Sequence, residues 1–293
     1  MSPSRRLMLA ALAALPLLPA PLRAQEAGPA DRPEDRIVSI GGAVTEIVYA
    51  LGEQDRLVAR DTTSNYPPEV TGLPDIGYIR RLSPEGVLSV NPTLILTEEG
   101  AGPPEVVELL KEASIAFAEI PDGFDRAAVL TKIHRVAEVL GVPQKGDALA
   151  AEVAAALDAA GEIAAQEAAG APPRRVLFVL SMQGGRIMAG GSDTAADGII
   201  RLAGGVNALT GVSGYKPLSD EAVIAAAPDV ILMMARGGEM AVSDAALFSH
   251  PAILSTPAGE ARAVLRMDGM KLLGFGPRTA EAATELAHAL AGG

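Results

Sequence analysis

The stretch Gly77–Leu96, GYIRRLSPEGVLSVNPTLIL, gathers one tyrosine and two arginines at its start: Tyr78, Arg80 and Arg81. A free phenol ionises near pH 10, so tyrosine becomes an anionic oxygen ligand only where something favours its phenolate. A guanidinium two residues along can do so through a charge-assisted hydrogen bond. Residue types alone leave two readings open: a phenolate supported by arginine, or a loop tyrosine beside solvated arginines.

Other chemistry is sparse. The chain has no cysteine, hence no disulfide framework, thiol nucleophile or cysteine metal site. A zinc or manganese site would want several converging imidazoles, and His134, His250 and His288 fall in three separate segments. His134 and His288 read as helix residues, and His250 in FSHPAIL as a structural loop residue. SIGGAV is a glycine-bearing strand-to-helix turn without the G-x-G-x-x-G fingerprint. Neither G-x-S-x-G nor a phosphate-cradling G-x-x-x-x-G-K-[ST] loop occurs, and no nucleophile–base–orienter set presents itself. The residues alone thus offer an enzyme reading no catalytic set.

The elements that must position these residues read as α/β. RIVSI, LVAR, TLILT and IAFAEI are short apolar strands, alternating with helices GGAVTEIVYALG, SPEGVLSV and PPEVVELLKEA. SPEG starts its helix with Ser83 as cap, Pro84 at the first position and Glu85 in the first turn. Such alternation predicts a parallel sheet. An amphipathic helix covers Asp125 to Leu140. Another starts at Pro143 and runs to about Ala169, ending before GAPPRR. The pattern then resumes with strands RVLFVL, DVILMM and AVLRM and helices TAADGIIRLAGG, DEAVIAAAP and TAEAATELAHALAGG.

The second half repeats the first. Leu82–Leu96, LSPEGVLSVNPTLIL, aligns without a gap to Leu218–Leu232, LSDEAVIAAAPDVIL, pairing Glu85 with Glu221. One inserted residue further back, Gly77-Tyr78 matches Gly214-Tyr215. Two related lobes with equivalent loops at the mouth of a cleft are expected, divided as 36–141 and 171–293 with a stiff connecting helix over 142–170.

Composition fits this plan. Of 293 residues 49% are hydrophobic and only 3% aromatic, so small aliphatic residues must fill the cores. Arg5 and Arg6 before the apolar run Leu7–Leu18, with Ala24 available for cleavage, read as an export signal over 1–24, followed by an extension over 25–35. Removing residues 1–24 takes three arginines and no acids, moving the formal charge from −12 to −15. So acidic a chain is a poor nucleic-acid binder. The mature protein is expected to be soluble and exported.

The segments RIVSIGGAVTEIVYALG, LPDIGYIRRLSPEG, AADGIIRLAGGVNA, LSDEAVIAAAPDVILMM and LLGFGPRT together resemble the periplasmic haem-binding proteins of bacterial ABC-type haem importers. These belong to the wider group of vitamin B12- and siderophore-binding proteins, and the resemblance spans the mature chain. It implies two Rossmann-like lobes joined by a single long rigid helix, with haem as transported ligand in the cleft between them. It also implies delivery to ABC permease subunits with their ATPase. Tyr78 would supply a phenolate to ferric iron, a hard anionic ligand for Fe(III), with Arg80 and Arg81 beside it. Tyr215, Arg236, Met182 and Gln183 would approach the ligand from the second lobe. Some members carry a histidine near Met182 and Gln183 for a second, stacked haem; its absence here counts against a histidine-ligated second haem. Glu85 and Glu221 resemble the acidic pair that docks such proteins to permease arginines. The alternatives are a ferric siderophore or corrinoid in the same fold, and, from another class, an exported α/β enzyme.

Overall fold

The computed structural model describes residues 35–235 and 242–292. The export signal, nearly all of the extension and Arg236 lie outside the described residues.

The apolar run IVSI forms β1 (Ile37–Ile40), buried at all four positions because it is an inner strand. With β2 (Leu57–Arg60), β3 (Leu94–Glu98) and β4 (Ala116–Ile120) it makes a sheet of order β2-β1-β3-β4. Every pairing in it is parallel, as the strand–helix alternation predicts. Helices α1 (Gly42–Ala50), α2 (Pro84–Leu88), α3 (Pro104–Glu112) and α4 (Arg126–Leu140) lie between and after the strands. The side chain of Ser83 accepts from the Gly86 N–H to start α2, and that of Asp125 from the Ala128 N–H to start α4. Each satisfies a backbone donor that the first helical turn leaves without a partner.

Helix α5 (Pro143–Glu167) has 25 residues, about 38 Å at 1.5 Å per residue. Its buried positions, Gly146, Ala150, Val153, Leu157, Ala160 and Ala164, recur every three or four residues and make one stripe.

The second sheet contains β5 (Arg175–Gln183), β6 (Arg186–Gly190), β7 (Val206–Asn207), β8 (Tyr215–Leu218), β9 (Val230–Ala235) and β10 (Val264–Asp268). Its order is β10-β9-β5-β6-β8, with β7 also pairing β5. Among and after these strands run α6 (Ala195–Leu202), α7 (Asp220–Ala226), α8 (Asp244–Leu247), α9 (Pro251–Leu254), α10 (Pro257–Ala261), α11 (Gly269–Leu273) and α12 (Thr279–Ala291). α5 packs between α4 and α12.

This sheet departs from the parallel expectation. β9 and β10 run parallel to β5, but β6 runs antiparallel to both of its neighbours, β5 and β8. Gly184 and Gly185, at φ 56° and 75°, turn β5 straight back into β6. Two left-handed residues in succession make the kind of two-residue hairpin turn that matches strand twist. The repeat is physical where helix and following strand coincide. Ser219 caps α7 as Ser83 caps α2, and Val87 with Ile95 and Leu96 is buried as are Val223, Ile231 and Leu232. It fails just before the helix: Tyr78 lies in a turn, whereas Tyr215 opens the edge strand β8.

One apolar cluster runs through both halves, from Ile47 and Val136 through Leu157 on α5 to Ile199 and Leu286. Smaller clusters lie under α7 to α10 and under the Tyr78 turn.

Candidate functional site

The Tyr78 turn is held from below by apolar side chains at three-residue spacing. Ile76, Ile79 and Leu82 are buried, which leaves Tyr78, Arg80 and Arg81 on the exposed side. Backbone bonds pin both flanks: Thr62 N–H donates to the Gly77 carbonyl, and Leu82 and Gly102 N–H groups donate to Gly102 and Ile79 carbonyls, each at 2.9 Å. The Arg81 N–H closes the turn on the Tyr78 carbonyl at 2.7 Å. Asp75 organises the entry, accepting from Gly77 N–H at 2.8 Å and from Arg60 and Thr62 at 3.1 Å. Gly77 sits at φ 101°, which a side chain rarely adopts.

Tyr78 and Arg80 border a cavity of about 750 Å³ at the C-terminal ends of strands from both sheets. In open α/β sheets this is where ligands bind. From the first half come the residues after β1 and β2 (Gly42, Thr62, Thr63), the end of β3 (Glu98), and Asp122 and Phe124 beyond β4. From the second come Leu180, Tyr215, Met234 and the segment Asp268–Gly274. Ile79, Phe124, Leu180, Met234, Met270 and Leu273 make much of the wall apolar.

Arg80 donates to the Gly100 carbonyl rather than to Tyr78. Gly100, at φ 77°, leaves room for it: a Cβ there would lie 2.6 Å from the guanidinium. Tyr215 faces the same space. Its ring meets Phe178 edge-on with centroids 6.3 Å apart, and its hydroxyl, on a residue 36% exposed, is held above the ordinary phenol range. Burial pushes that hydroxyl up; the Ala196 backbone, the Thr194 side chain and the Arg80 charge pull it down. Arg80 and Tyr215 line the same cavity, one from each half of the chain.

Beneath the cavity lies Lys132 of α4, with no exposed side-chain surface. Its Nζ donates to Glu98 Oε1 at 2.5 Å, Asp122 Oδ1 at 2.9 Å and the Gly274 carbonyl at 3.4 Å. Burial works to depress the ammonium, and Glu98 and Asp122 more than reverse it. Burial raises the Glu98 carboxyl, against the pull of Lys132. A second tie between the halves joins Glu46 of α1 to Arg278, at 2.5 and 2.9 Å, with Arg278 stacked 3.6 Å from the Tyr66 ring centre.

Of the expected ligand residues, the structure brings Tyr78, Arg80 and Tyr215 to one cavity. Arg81 is exposed and does not line it. Met182 and Gln183 do not reach it either. A bulge between Val179 and Ser181 breaks the alternation of β5, so Met182 packs with Leu177 and Val179 instead of following Phe178 and Leu180. Gln183 is exposed at the hairpin turn. Glu85 and Glu221 are both exposed in the first turns of α2 and α7. Sequence reasoning missed Glu98, Asp122 and Lys132. The signal was available: a lysine interrupts the buried stripe Val129, Ile133, Val136 of α4, and acids follow the apolar strands TLILT and AFAEI. His250 caps α9 and contacts the Gly185 carbonyl. Among the described residues no group of three acids and histidines could hold a metal ion.

Two α/β sheets opening a shared, largely apolar cleft at their strand ends define a ligand-binding protein of the two-lobed kind. The chain belongs to the periplasmic binding protein family, whose sequence model matches residues 37–269. It is similar in structure to the periplasmic heme-binding protein RhuT from Roseiflexus sp. RS-1 in its apo form. The two are 42% identical with a TM-score of 0.83, over 88% of this chain and 98% of that one. It is 25% identical to the vitamin B12-binding protein of Vibrio campbellii, over 72% of this chain and 74% of that protein. It is also 27% identical over 199 residues to the ABC transporter substrate-binding lipoprotein YvrC of Bacillus subtilis, 67% of this chain and 62% of that protein.

Proposed function

We propose that this protein is exported, captures haem in the cleft through the Tyr78 phenolate, and delivers it to an ABC permease for iron uptake. The observation that carries the reading is the meeting of Tyr78, Arg80 and Tyr215 at one apolar-walled cavity, in a chain 42% identical to a heme-binding protein. A flat macrocycle suits walls built from Ile79, Phe124, Leu180 and Met270, and a cavity of about 750 Å³ is within the roughly 300–1,000 Å³ of small-molecule sites. Tyr78 stands exposed at the rim, so its oxygen is free to bond iron, and iron itself supplies most of the drive to ionise it. In this reading Arg236 approaches a carboxylate of the ligand, as the resemblance implies. The lobes divide at 141 and 171, α5 keeps their separation nearly constant, and Glu85 and Glu221 mark both lobes for the permease.

Titrating the mature protein with haemin, cobalamin and a ferric siderophore tests the reading. A Soret band that saturates with haemin, without comparable binding of the others, supports it. Preferential binding of cobalamin, the ligand named for the Vibrio relative, replaces it by a corrinoid reading.

A further inference from the structure

The walls of the cleft carry an imbalance of charge. Among the described lining residues three are acidic, Glu98, Asp122 and Asp268, and one is basic, Arg80. Lys132 offsets one of the acids from below, but no ligand can reach it. Its side chain has no exposed surface, and its three N–H donors already meet Glu98, Asp122 and the Gly274 carbonyl. What the floor offers a ligand is therefore carboxylate oxygen, fixed in place by a buried cation. Glu98 and Asp122 are 15% and 22% exposed at the side chain, enough to face the cavity and too little to be well screened by water. Sites that hold polyanionic ligands do the reverse, presenting arginine or lysine donors to them.

Resting on the haem reading, we infer that Glu98 and Asp122 are specificity-determining residues that keep anionic groups away from the floor of the cleft. The cleft accepts an iron macrocycle that turns an uncharged edge to the floor and its carboxylates elsewhere. It rejects iron chelates whose negative charge is spread over every side, the anionic siderophores included. Like charges brought within a few ångströms in a poorly screened site weaken binding by about tenfold or more.

Two ferric porphyrins separate the cases. Haemin has its two carboxylates on one edge, whereas ferric coproporphyrin carries four spread around the ring and must set one toward the floor. The parent protein is expected to bind haemin at least about tenfold more tightly. Asp122→Asn, which keeps shape and removes one charge, is expected to narrow that gap about tenfold while leaving haemin affinity within a few-fold. Glu98→Gln, at the other carboxylate held by Lys132, provides a second test of the same kind. The tetramethyl ester of ferric coproporphyrin, equally bulky and uncharged, is expected to bind the parent without that penalty. A gap that stays unchanged in both variants overturns the inference, as does equal exclusion of the ester. Parallel losses for both porphyrins with a lower melting temperature would reduce the two acids to structural residues and overturn it as well. Failure of the parent to bind haemin at all overturns the haem reading instead.

Discussion

Replacing Lys132 by Met keeps the volume of a fully buried side chain and removes its charge. Lys132 is the cation between two carboxylates, so its loss leaves Glu98 and Asp122 largely shielded from water without a counter-charge. Breaking one side of a buried ion pair costs about 3–5 kcal/mol, far more than the pair contributes over an apolar replacement. The pH dependence follows from the direction of the Glu98 shift. Burial raises its carboxyl already in the presence of Lys132, with Asp122 and Asp61 adding to the effect. A carboxyl with a raised folded-state pKa contributes stability that is full below its unfolded value and lost as pH rises through the folded one. Without Lys132 the folded value rises further, so the deficit is greatest at neutral pH and shrinks as the solution is acidified. Urea unfolding of the parent, Lys132→Met and Lys132→Met/Glu98→Gln at neutral and mildly acidic pH measures this, and the double variant should regain part of the loss. A deficit below about 1 kcal/mol, or one that ignores pH, would refute the account of the cleft floor.

The remaining predictions concern the rim, the docking face and motion. Arg80→Ala should alter the haem dissociation rate without preventing binding. Gly100→Ala should reproduce that effect, because its Cβ displaces the guanidinium, while adding about 1–2 kcal/mol of left-handed backbone strain; stopped-flow transfer to a haem acceptor and thermal melting check both. Glu85→Ala with Glu221→Ala should impair haem transfer to the reconstituted permease and leave haem affinity intact, since both side chains are exposed. Spin labels on the two sheets should show little change in separation on loading, because bending α5 would break backbone hydrogen bonds within it. A hinge-like closure would remove α5 from the role of strut.

Much of this architecture was legible because local signals agreed with it. Alternating apolar runs marked β1, β3, β4 and β9, and the Ser-capped repeat located α2 and α7 within their lobes. The Tyr78–Arg80 pair was legible for the same reason: buried Ile76, Ile79 and Leu82 force the polar residues between them outward. What stayed hidden depended on sequence-distant contacts or on single irregularities. The bulge at Val179–Ser181 that carries Met182 away from the cavity has no marker in RVLFVLSMQ. Tyr215–Leu218 reads as a loop in the sequence, because Pro217 and Lys216 suit an edge strand only once β6 lies beside it. The Gly184-Gly185 turn, by contrast, was a readable hairpin signal. Lys132 was absorbed into an amphipathic helix, and only the fold brings Glu98, 34 residues away, and Gly274, 142 residues away, to its ammonium.

The claim on which the rest depends is that Tyr78 bonds the iron. Absorption and resonance Raman spectra of haemin-loaded parent and Tyr78→Phe protein test it directly. The parent should show a phenolate-to-iron charge-transfer band and high-spin ferric iron, and the variant should lose the band and release haem faster. Matching spectra and matching haem affinity in the two proteins would contradict the assignment and move the iron ligand elsewhere in the cleft.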